Sequence, residues 1–147
     1  MCNVLEVAKF ITSYAYRVGK PISNLALQYH LYLLWLYCLK EHKVILFNDL
    51  FHCWSGGPLI QEVYSEYCFY GGLKIQKDYK DIKLTASAIK MITEYLEKYL
   101  EKSLPDLQSI VLNENGLWYA MYVKERKERY AIIPFNRLVE FCNREEV

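Results

Sequence analysis

No CxxC pair, no apolar run long enough to cross a bilayer and almost no net charge occur in this 147-residue sequence, and each absence removes a class of function. Eighteen Lys and Arg against 17 Asp and Glu leave a net charge of +1, so no whole-molecule field draws the chain to nucleic acid or to an anionic membrane. Five cysteines (Cys2, Cys38, Cys53, Cys68 and Cys142) form an odd, scattered set among apolar residues, the pattern of reduced thiols in a cytoplasmic protein. The most apolar segment, Leu25 to Leu39, falls short of the roughly 20 residues a membrane helix needs and is interrupted by Gln28 and His30. Glu6 and Lys9 break up the amino-terminal stretch, which argues against a signal peptide. Glycine numbers only six, and Gly56-Gly57 has neither the spacing nor the following lysine of a phosphate loop, so no nucleotide or other cofactor is expected.

What the chain does have is apolar residues: 53% are hydrophobic, enough to order a core, and the length suits a single domain over residues 1–147. Val4, Val7, Ala8, Ile11, Tyr14, Ala15 and Val18 recur at helical spacing and Gly19 stops that helix. Ser23 or Asn24 then caps a second helix that is apolar nearly all the way round to Leu39, so it must be covered on several sides. After a loop at Phe51-His52-Cys53-Trp54-Ser55-Gly56-Gly57, Pro58 is placed at the first position of a third helix with Ile60, Val63, Tyr64 and Tyr67 inward. Gly71-Gly72 ends it and Leu73 to Lys83 reads as loop. Thr85 caps a fourth helix, on which Glu94 and Lys98 are spaced to pair. Pro105 marks a short helix, Leu117 to Arg129 is assigned as helix over hairpin, and Phe135, Leu138, Val139 and Cys142 give a closing helix. The expected fold is mainly α: a compact bundle of about six helices with minor extended segments.

The chemistry-bearing residues point away from catalysis. Cys38, His42, His52 and Cys53 are zinc-ligand types, but adjacent ligands such as His52 and Cys53 point apart, and no third group accompanies them as a Cys-His nucleophile would need. Neither a metal nor an enzymatic activity is expected. Lys124 to Arg129 alternates in sign as solvated surface does, and is better suited to rim an acidic protein than to grip nucleic acid. Fourteen tyrosines are too many for a chain this size to hide, and tyrosine is favoured in protein interfaces. Trp54, Gly57, Pro58, Tyr64, Tyr67 and Tyr70 are therefore the candidate partner-binding residues, although a tryptophan in this setting more often plugs a core.

Two blocks of the first half also resemble a known family. Gly19-Lys20-Pro21-Ile22-Ser23-Asn24-Leu25-Ala26-Leu27-Gln28 with Leu31-Tyr32 and Trp35 resembles the opening of the Panacea domain, which marks Asn24, Leu27, Gln28 and Tyr32 as structural motif positions. Phe47 to Trp54, Gly57-Pro58, Val63-Tyr64 and Tyr70-Gly71 resemble its second block in order and spacing. Farther on, Trp118 stands in a family tryptophan's place, but Val111-Leu112 replaces the Thr-His that often precedes it. The resemblance implies a helical antitoxin-like module that neutralises a toxin by stoichiometric protein binding, in some members by acting as a proteolytic adaptor. A phage-encoded inhibitor of a host defence enzyme is the alternative it leaves open. Gln28, a motif residue inside an apolar helix, is expected to bond the backbone of a neighbouring loop.

Overall fold

The computed structural model describes residues 1–144. Its first helix, α1 (Val4–Arg17), begins where the Asn3 side chain accepts the Leu5 amide and ends ahead of Gly19 in a positive-φ conformation. Val7, Ala8, Ile11 and Ala15 form its buried face, as their spacing requires. Ser23, not Asn24, caps α2 (Asn24–His42), its hydroxyl accepting the Ala26 amide. Residues Ala26 to Cys38 of α2 are all buried, so this helix is the axis on which the other elements pack. Trp35 shows how: its indole N–H donates to the Phe47 carbonyl at 3.1 Å and its ring stacks on Phe135 at 5.9 Å.

The segment after α2 departs from the loop expected there. His52–Trp54 and Gly57–Leu59 are short strands, β1 and β2, paired antiparallel as a hairpin whose turn is Ser55-Gly56. Pro58 therefore sits in β2 opposite Cys53 and does not begin a helix; α3 starts three residues later (Gln61–Tyr67). The glycines explain the difference. A Cβ on Gly56 would lie 2.5 Å from the Trp54 ring, and Gly57 combines φ +129° with a Cβ position 2.9 Å from the Tyr29 ring. Only glycine lets the turn close over both aromatics.

A 3-10 turn (Cys68–Tyr70) follows α3, and the chain then runs without regular structure to α4 (Ala86–Tyr99), which Thr85 caps. Side chains and backbone of the first half fasten this long segment. The Ile75 amide reaches the Ile22 carbonyl, the Tyr79 amide the Ser13 hydroxyl and the Lys83 amide a Glu6 carboxylate oxygen at 2.7 Å. Backbone groups that lack helix or ladder partners are satisfied this way.

Ser103 caps α5 (Leu104–Val111). The Leu117–Arg129 segment is helical rather than hairpin, but only as far as α6 (Leu117–Tyr119) and a π-helical turn over Ala120–Lys124. Arg126 and Tyr130 then take positive φ and turn the chain toward the hairpin, where the Ala131 carbonyl accepts the Cys53 amide. The last element, α7 (Phe135–Arg144), buries Leu138 and Cys142. Buried side chains from α1 to α7 join one core, and the fold is mainly helical with a single small hairpin among the described residues.

Candidate protein-binding face

The hairpin, α3 and the 3-10 turn come together on one side of the molecule. Trp54, at the end of β1, is half-buried: its carbonyl accepts the Trp118 indole N–H at 2.8 Å, and its ring meets Tyr64 of α3 edge-on at 5.9 Å. Two clefts flank this aromatic pair. One, about 290 Å³, runs between Trp54, Gln61, Ser65, Cys68 and Tyr130; the other, about 190 Å³, opens toward Asn24, Leu25 and Gly71. Trp54 Nε1 is buried beside them without a hydrogen-bond partner.

Beyond the clefts further large apolar residues are exposed. Phe69 is 76% exposed and Leu73 73%, with Tyr70 half-buried against Phe69 at a ring separation of 4.5 Å. Tyr130 forms the opposite edge, with the Arg129 guanidinium 5.2 Å from its ring centre. Lys124 to Arg129 are exposed there, on the end of the π turn and the loop after it and not on a longer helix. Glu125 is taken up in a bidentate pair with Arg137, which lowers its carboxyl pKa.

The candidate residues thus divide. Trp54, Tyr64 and Tyr70 are at least partly accessible, whereas Gly57, Pro58 and Tyr67 are interior, Tyr67 at 2% exposure. Gly57 and Pro58 shape the hairpin, and the Tyr67 hydroxyl bonds that of Tyr79. Tyr32 and Tyr37 are interior too. Phe69 and Leu73, the most exposed large apolar residues of this face, escaped the sequence reading. Their signal lay in being off the inward spacing of Val63 and Tyr67 yet still apolar.

The motif positions of α2 support the face from beneath. Asn24 Nδ2 donates to the Tyr64 carbonyl, Gln28 Nε2 donates to Asn24 Oδ1 at 3.2 Å, and Gln28 Oε1 accepts the Ile60 amide at 3.0 Å. Two buried amide side chains so satisfy the backbone where the hairpin joins α3, as expected for Gln28. Leu27 is fully buried, and Tyr32 packs edge-on against Phe51 at 5.3 Å.

The histidines and cysteines do not converge. Among the described residues no group of His, Cys, Asp and Glu has the arrangement of a metal site. His42 Nε2 lies 2.7 Å from Glu94, whose carboxyl is held below its ordinary range by that contact and by the Tyr37 hydroxyl; Glu94 pairs there and not with Lys98, whose ammonium sits over the Tyr37 ring. Burial pushes the thiols of Cys38 and Cys53 up to about 12 and about 11, so both stay protonated and weakly nucleophilic at neutral pH. No helix among the described residues is long and apolar enough to cross a membrane. Comparison with protein-family models, curated proteins and solved structures gives no match for the chain.

Proposed function

We propose that this chain is a protein-binding module of the antitoxin kind, which neutralises a toxin by covering it in a stoichiometric complex. The observation that carries the reading is the pair of surface aromatic contacts, Trp54 with Tyr64 and Phe69 with Tyr70, together with the exposed Leu73. Large rings held by a rigid hairpin and helix lose little conformational freedom on binding, and such residues dominate interface energetics. The cations between Lys124 and Arg129 border this face and favour a partner with an acidic rim. Resemblance to the Panacea domain supports the same reading, since its motif residues Asn24 and Gln28 hold the elements that build the face. The buried free thiols of Cys38, Cys53 and Cys142 suit a cytoplasmic protein.

The test is co-expression with the product of the neighbouring reading frame, measuring affinity and rescue from toxicity for the native chain and for Phe69→Ser with Tyr64→Ala. A one-to-one complex that the double variant weakens by about thirtyfold, roughly 2 kcal/mol, is the expected result. A folded double variant that binds and rescues as well as the native chain would overturn it. Binding to a defence enzyme, with no toxin encoded nearby, would move the same face to the inhibitor reading.

A further inference from the structure

The largest described cleft lies away from the aromatic face, between the α1–α2 turn and the α4–α5 junction. It encloses about 600 Å³, within the size range of small-molecule sites. Its rim carries Lys20, Lys74 and Lys102, the last with its ammonium over the neighbouring Tyr99 ring, against one carboxylate, Glu101, and His30 lines it from the interior of α2.

His30 is fully buried, and its Nε2 has no hydrogen-bond partner. Its Nδ1 lies 2.8 Å from the Tyr95 hydroxyl, the one hydrogen-bond partner that buried phenol has among the described residues. Tyr95 is not a wall of the cleft whereas His30 is, so the imidazole stands between the Tyr95 hydroxyl and the cleft. In the tautomer in which the Tyr95 phenol donates to Nδ1, the imidazole proton is on Nε2. Burial also lowers the His30 pKa to about 4, which keeps the ring neutral. In that tautomer a desolvated N–H with nothing to receive it belongs to a residue in the wall of the cleft, an arrangement that costs free energy until an acceptor arrives.

We propose that this cleft binds a small phosphate-bearing anion, with His30 Nε2–H as the donor at its floor and Lys20, Lys74 and Lys102 as the surrounding charge. Lysines and hydroxyls are point donors that suit a tetrahedral oxyanion, and no arginine is present to form the planar fork that favours a carboxylate. Ser103 adds a hydroxyl proton, since its oxygen already accepts the Asp106 amide. Glu101 opposes the charge and pairs with Lys20, but both side chains are exposed, so that pair yields readily to a stronger ligand.

Long-range proton–nitrogen spectra of the histidine rings test the proposal, recorded on the full chain while inorganic phosphate is added at constant ionic strength set by sodium chloride. The expected result is an Nε2-protonated His30 whose resonances shift saturably, with affinity falling about tenfold or more in Lys74→Gln, Lys102→Gln and rising in Glu101→Gln. Each variant should keep the native melting temperature, because the substituted side chains are on the rim. An Nδ1-protonated ring, a shift that chloride reproduces, no saturable shift, or unchanged affinity in the lysine variant would overturn it.

Discussion

Both motif-bearing segments of the first half carry several aromatic and aliphatic residues, yet these end in opposite places. Ala26 to Cys38 is interior throughout, whereas Trp54 to Leu73 alternates between interior and surface. A helix surrounded by α1, α3, α4, α5 and α7 has no side free, so every ring it carries becomes packing. The hairpin and α3 pack on α2, with α1 against α3 and the π turn against β1, and the side they turn outward stays exposed. Apolar composition alone does not separate a core from a binding face; the number of elements covering a segment does.

That contrast makes measurable claims about the interior. Trp35→Ala removes a fully buried ring, its stacking on Phe135 and its bond to the Phe47 carbonyl, and should lower unfolding free energy by about 3 to 5 kcal/mol in denaturant titration. A loss under about 1 kcal/mol would mean that α2 is less enclosed than described.

His30 gives the next largest effect, and its sign follows from burial. The folded ring resists protonation until about pH 4, while the unfolded chain takes up a proton near pH 6.5. Between those values the unfolded state binds more protons, so stability falls as pH drops, by about 3 kcal/mol for a shift of that size. Unfolding measured across this window in phosphate-free buffer should show the slope in the native chain, with His30's share missing in His30→Gln.

Gln28→Ala should cost less, about 1 to 3 kcal/mol, because it leaves the buried Ile60 amide without its acceptor while removing little apolar volume. Hydrogen exchange at the Ile60 amide should quicken more than at Trp35. Equal quickening at both would make Gln28 a general packing residue instead of the link between α2 and the hairpin–α3 junction.

Helices were the most legible part of the sequence, since their caps and spacing are local. Ser23 and Thr85 cap as their positions suggest, and Gly19 stops α1. The hairpin was misread because Gly56-Gly57-Pro58 is consistent with either a loop into a helix or a tight turn. What decided between them was the closeness of Trp54 and Tyr29 to the glycine backbone, which is a distant contact for Tyr29. The candidate face was partly legible: tyrosine density signalled it, but could not tell Tyr67, which the core takes, from Tyr64, which it half exposes.

By itself the sequence determined a mainly helical chain with an apolar central helix and too many rings to bury, because periodicity, caps and composition act within a few turns of chain. Tertiary structure alone decided which rings surface, where the Asn24 and Gln28 amides find partners, and that His30, its Nε2 unpaired, stands in the wall of a lysine-rimmed cleft. Those outcomes depend on elements distant in sequence arriving at the same place, and no local pattern encodes that arrival.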